Sequence, residues 1–456
     1  MKCFLTILLF ALVSCATPSS SEDSIKISID VHELPSIGLA ISTTDYDIQL
    51  VNFDSNKHGE YVIHNMDAAY ITLHNGFSER KRIYAEQGDH IHLTFDGKSM
   101  KESLEITGDH PRITEYLSRQ KTTPYNRNIY SLQFPEFESV LKEKIIENSR
   151  LLDSRENTLK NESEKFIKLE RARIKYSFAP ALLNYPKVHG GEDLEKIRDD
   201  YYTTIKNWIE EDKDYLNLNE YRTFVALACA TLASQEGKNT TTYYEKILEQ
   251  MYYLDQNFKQ EDVKQGFISL WANEYVQNNG IKQIDELNKF TQEKLTDNKL
   301  LSRYEQIYDS WARIAPGNKA IDFHAQDSTG KEFSLKDFKN QYVCLYIWQN
   351  VYPCMVEFSH LKKLIPLLEE KNIQWINLSI EPKPDEWKKA IRNQDIQIGK
   401  HFFLKNEKEF LKNYHYNSET MYQFILITPD GKIVESHLPK ASSGKLEKYL
   451  TEQFRK

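Results

Sequence analysis

The chain has 456 residues, 40% hydrophobic and 28% charged, with a net charge of −8. That length suits roughly two to four domains with cores of their own, and the composition is ordinary for a globular protein. An acidic balance with no basic stripe argues against a nucleic-acid binder, and no internal stretch is long and apolar enough to span a bilayer.

The N-terminus stands apart. Lys2 precedes an apolar run from Phe4 to Val13, followed by Ser14-Cys15. That order fits an export signal. Leu12-Val13-Ser14-Cys15 resembles a bacterial lipobox, which implies cleavage before Cys15 and lipid on its thiol. Acyl chains would then hold the protein to a membrane through buried methylenes. An ordinary signal peptide or a start-proximal anchor would show the same apolar run. Residues 16–24 read as a polar tether, which favours lipidation of residue 15. The expected location is the cell envelope, lipid-anchored at the outer membrane, on its periplasmic or surface side.

There are five cysteines. Cys3 leaves with the signal and Cys15 carries lipid, so Cys229, Cys344 and Cys354 remain as an odd set in an oxidising compartment. No C-x-x-C occurs, so neither a dithiol motif nor a zinc knuckle is available.

Residues 25–107 read as β. Ile25, Ile27 and Ile29 alternate with polar residues, and strand-like runs follow at Tyr61–Ile63, Tyr70–Leu73 and Ile91–Phe95. Turn pairs such as Gly88-Asp89 and Asp96-Gly97 separate them, which predicts a small antiparallel sandwich. His90 and His92 fall on a polar strand face; without a third ligand they read as solvated rather than metal-binding.

Residues 108–313 read as helical. Phe137, Leu141, Ile145 and Leu152 share a face after Pro135, and Phe166, Leu169, Ile174 and Phe178 continue the pattern. Gly190-Gly191 breaks it, and helices resume over 194–208, 221–233, 242–254 and 263–275. Cys229 lies in an apolar segment and reads as core. The tyrosines at 201, 202, 243, 244, 252 and 253 suit interhelix packing better than a ligand groove.

Residues 314–456 alternate strand and helix patterns, the mark of an α/β sheet. Asp430-Gly431 is a hairpin turn between Phe424–Ile427 and Lys432–Val434. Several segments here are similar to the TlpA/ResA family of envelope thiol-disulfide oxidoreductases, near the AhpC/TSA redoxins. Gly317, Ala320, Asp322 and Phe323 match its opening pattern, with Ile321 where proline is usual. Asp327, Gly330, Leu335 and Asp337 match the next stretch. The strand Tyr342–Trp348 precedes Val351-Tyr352-Pro353-Cys354, and Glu357 completes the family's C-x-x-E. The β region and helical middle also resemble long lipoproteins that carry such a domain, through Gly88–Asp96 and the Ile106-Thr107-Gly108 to Tyr116-Leu117 segment. The resemblance implies a multidomain chain: an all-β sandwich, an all-α middle and an α/β thioredoxin-like domain.

Three departures bear on activity. Val351 stands where the family's nucleophilic cysteine would be, and valine cannot form the thiolate that attacks. Tyr352 takes the place of a frequent glycine. Tyr422 stands where the family has a substrate-facing cis-proline. Cys354 matches the resolving cysteine. It should sit in a first helical turn, where the dipole favours thiolate, but a lone thiol has no neighbour to resolve a mixed disulfide. Cys344 lies four residues before the strand's end, more than about 10 Å away along the strand, too far for a disulfide. Glu357 and Asp322 are proton-carrier candidates, with capping the plainer role, and no metal or cofactor is implied. The expectation is an envelope-anchored redoxin-like protein whose dithiol chemistry is lost and which binds a peptide or protein partner. The alternative is a monothiol oxidoreductase acting through Cys354.

Overall fold

The computed structural model describes residues 24–34, 38–43, 48–64, 66–75, 79–121, 123–189, 194–235, 240–393, 396–416 and 422–455. The lipidation expectation at Cys15 and the Gly190-Gly191 break lie outside them. The chain divides into two compact units, Met1–Phe267 and Ile268–Lys456.

The first unit begins with β1 (Ser24–Val31), β2 (Leu39–Ser42), β3 (Ile48–Leu50), β4 (His58–His64), β5 (Ala68–Asn75), β6 (Glu79–Glu86) and β7 (His90–Phe95). A short helix, α1 (Met100–Ser103), leads to β8 (Glu105–Gly108). The strands form two sheets, β4-β1-β7-β8 and β3-β2-β5-β6. Ile25, Ile27 and Ile29 point into a core shared with Ile41, Ile71, Leu73 and Leu93, as the period-two alternation requires. The antiparallel expectation needs one correction. β1 and β7 pair in parallel, with Ile27 opposite Ile91. Parallel neighbours need a long crossover, and here the intervening strands supply it. The Ile-Thr-Gly segment has a steric reason: Gly108 sits at φ +107, and a Cβ there would lie 2.1 Å from the His90 carbonyl oxygen.

Helices follow: α2 (Pro111–Arg119), α3 (Phe134–Lys160), α4 (Glu164–Ser177), α5 (Ala179–His189), α6 (Leu194–Trp208), α7 (Asn219–Gln235), α8 (Tyr243–Asn257) and α9 (Glu261–Asn279). Pro135 lies in the first turn of α3, and Thr242 with Glu245 makes a capping box at α8. Cys229 is fully buried, as are Tyr201 and Tyr253, whereas Tyr243 is exposed. One buried carboxylate joins sheet and helices. Glu170 on α4 takes both prongs of the Arg173 guanidinium, at 2.7 and 2.6 Å, and the hydroxyls of Tyr70 and Tyr116 at 2.7 and 3.1 Å.

The second unit carries α10 (Asp285–Lys294) and α11 (Asn298–Ala312) and then an α/β sheet. Its elements are β9 (Ala325–Gln326), β10 (Glu332–Phe333), β11 (Tyr342–Trp348), α12 (Tyr352–Leu361), α13 (Ile365–Glu370), β12 (Ile373–Ser379), α14 (Pro384–Ala390), β13 (Lys400–Leu404), α15 (Glu407–Asn413), β14 (Gln423–Ile427), β15 (Ile433–Glu435) and α16 (Lys445–Gln453). The strand order is β10-β9-β13-β12-β11-β14-β15. β11, β12 and β13 run parallel, and β14 and β15 close the sheet antiparallel through the Asp430-Gly431 turn. This is a thioredoxin-like arrangement. β11 is an interior strand and almost wholly buried, which suits its unbroken apolar run.

Candidate functional site

The site is the junction of β11 and α12. Val351 is the N-cap of α12, extended at φ −124 and ψ 156, and Tyr352 and Pro353 open the helix. Proline fits there because its missing N–H has no intrahelical partner in the first turn. The helix begins with the Met355 N–H donating to the Val351 carbonyl at 3.1 Å. Valine offers no side-chain cap. Its isopropyl group packs against the core cluster instead.

Cys354 occupies the third helical position and is 0% exposed, among Trp348, Phe358 and Leu361. Burial pushes its thiol above the ordinary range; the Gln349 backbone and the Tyr346 hydroxyl pull it down, and the charges of Glu357 and Glu381 push it up. Burial is the largest of these effects. Tyr346, on β11, donates its hydroxyl to the Cys354 carbonyl oxygen at 3.0 Å. Tyr416 and Tyr422 also lie near enough to feel the thiol's charge. Glu357 is 2% exposed and accepts the Ser442 N–H at 3.0 Å, so it anchors a loop. Asp322 likewise accepts from the Leu335 N–H at 2.7 Å, a turn-building role.

Among the motif residues, Tyr352 is the outlier, 81% exposed. Tyr422 is half-buried, its ring 5.9 Å from Phe424, and no described residue has a cis peptide bond. Cys229, Cys344 and Cys354 are in no disulfide. Cys344 is buried on the same strand face as Tyr346 and Trp348, and burial raises its thiol too.

Sequence reasoning missed Glu381. This buried carboxylate follows β12 and accepts the Asn350 N–H, while the Gln349 side-chain amide donates to the Ile380 carbonyl at 3.2 Å. Together they strap the β11–α12 turn to the end of β12. An acid two residues past a buried strand was the available signal. His401 lies beside Trp348 and Phe358, whereas His415 and His437 both pack on Trp311. His92 bonds Ser28 at 2.8 Å, and His90 is exposed. No group of three or more potential metal ligands is assembled among the described residues.

Residues 316–436 match the model of the AhpC/TSA family. The C-terminal segment is thus similar to the redoxins of that family. The chain is 29% identical over 148 residues to thiol-disulfide oxidoreductase ResA of Bacillus thuringiensis, covering 32% of this chain and 83% of that protein. ResA of Bacillus anthracis matches to the same extent. The thioredoxin domain of a thiol-disulfide oxidoreductase from Bacteroides vulgatus is 27% identical, with 30% of this chain and 98% of that one covered, at a TM-score of 0.27. A thioredoxin-like protein from Bacteroides caccae is 15% identical and covers 62% of this chain and 93% of its own, at a TM-score of 0.30. No helix among the described residues is long and apolar enough to cross a membrane.

Proposed function

We propose that this redoxin domain is a binding module that has lost dithiol exchange and holds an extended peptide or a partner protein of the cell envelope, the chain being tethered there by lipid on Cys15. The observation that carries the reading is the pairing of Val351 at the helix cap with a fully buried Cys354. Exchange needs a thiolate that can reach a disulfide sulfur in line. The cap residue cannot ionise, and the remaining thiol is both raised and covered. What the motif presents to solvent is the Tyr352 ring, an amphipathic surface of the kind common at interfaces. The second reading, a monothiol oxidoreductase acting through Cys354, draws on the kinship with ResA and on the place of Cys354 in the first turn of α12.

Intact mass and thiol counting separate the two. The chain lacking residues 1–15 keeps Cys229, Cys344 and Cys354. Under oxidised glutathione the binding reading expects all of these thiols unmodified and no insulin reduction. A stoichiometric adduct on Cys354, released by a thiol reductant, would sink it and favour the monothiol enzyme.

A further inference from the structure

A second site is carried by other residues, in the first unit. A half-open cleft is lined by Tyr70 and Thr72 of β5, Arg82 of β6, Arg173 of α4, and Asn217 and Glu220 at the approach to α7. We propose that it binds the vicinal hydroxyls of a neutral sugar.

Arg173 is 6% exposed. Its Nε and Nη2 are taken by Glu170, but its Nη1 makes no hydrogen bond to a described residue and stands 3.9 Å from Glu220 Oε1. Arg82 Nη2 stands 3.7 Å from the same oxygen, and Arg82 likewise makes no hydrogen bond to a described residue. Both guanidinium groups lie 5.9 Å from the Tyr70 ring centre, so the ring holds them in place. The two separations to Glu220 exceed hydrogen-bond length. Two donors and one acceptor therefore converge on a gap that none of them fills. The cleft as a whole has about 30 Å³ of free volume, room for about two water-sized groups.

Charge selects the occupant. Arg82 and Arg173 are balanced by Glu170 and Glu220. An anion would meet the Glu220 carboxylate with no net positive field to repay it, and a cation would meet two guanidinium groups. A hydroxyl satisfies both sides, accepting from Nη and donating to Oε1. Thr72 and Asn217 at the rim carry both donors and acceptors. Two adjacent hydroxyls match the room available, with the sugar ring left at the open mouth beside Arg82, whose side chain is 42% exposed.

The test is calorimetric titration of the full chain with the methyl glycosides of glucose, galactose and mannose, with inorganic phosphate and acetate as anionic probes. At least one glycoside should bind, and Arg82→Met and Glu220→Gln should each weaken it about tenfold, the scale of one charge-assisted hydrogen bond. A thermal melt confirms that each variant is folded. Failure of every glycoside to bind, equal binding by the variants, or competition by phosphate or acetate would overturn the proposal. Water alone then fills the cleft in the first case, sugar binds elsewhere in the second, and the site is anionic in the third.

Discussion

The Tyr346 hydroxyl and the Cys354 carbonyl meet at 3.0 Å, so β11 and the first turn of α12 are pinned together beneath the Val351–Cys354 turn. Tyr346 also faces the thiol and holds its pKa lower than burial alone would. Tyr346→Phe should cost about 1–2 kcal/mol, because a buried acceptor loses its donor. It should also move the Cys354 thiol further up. The pH dependence of alkylation by a small reagent reads this directly: the midpoint lies above that of a free cysteine in the parent and higher still in the variant. A variant midpoint at or below the parent's would refute the role given to Tyr346.

Val351→Cys places a thiol at the helix cap, where the dipole favours thiolate. The expected result is a reversible disulfide with Cys354 and measurable insulin reduction where the parent shows none. Thiol counting before and after oxidation checks the first, and turbidity the second. If the oxidised variant keeps every thiol free, the turn strapped by Glu381 does not have redoxin geometry.

Glu170 serves two tyrosines and one arginine with no exposure of its own. Glu170→Gln leaves buried Arg173 with only Glu220, 3.9 Å away, as counter-charge, which should cost about 3–5 kcal/mol. Urea unfolding of the full chain, followed by fluorescence, would show it. A loss below about 1 kcal/mol, the size of an exposed ion pair, would mean that water reaches the network.

Burial holds His401 down from 6.5 to about 4. The unfolded chain takes up its proton near the higher value and the folded protein only near the lower one. Stability is therefore full above the unfolded value of 6.5 and is lost as pH falls toward about 4. The loss is on the order of a few kcal/mol. Denaturation midpoints across this window should fall in the parent and flatten in His401→Gln. Equal slopes would show that other groups, such as His415 and His437, carry the acid sensitivity.

Much of the fold was legible because local chemistry and tertiary demand agree. The run Tyr342–Trp348 is apolar on both faces, and it is an interior strand; Pro353 marks a helix start, and α12 begins there. Asp430-Gly431 turns the closing hairpin. What stayed hidden depends on partners distant in sequence. The parallel β1–β7 pair depends on where the chain goes between its members, and nothing in either strand records that. The buried place of Glu381 follows from the Asn350 N–H it accepts, a contact between segments that no periodicity encodes. The Arg82, Arg173 and Glu220 convergence likewise draws on a strand and two helices.

The cap of α12 makes its first hydrogen bond with the backbone carbonyl of Val351 alone. Helix initiation is thus indifferent to the side chain at that position. A cysteine there would supply reactivity without altering that hydrogen bond, whereas valine supplies apolar packing against the core. In such a fold, the residue at the helix cap can change without changing how the helix starts.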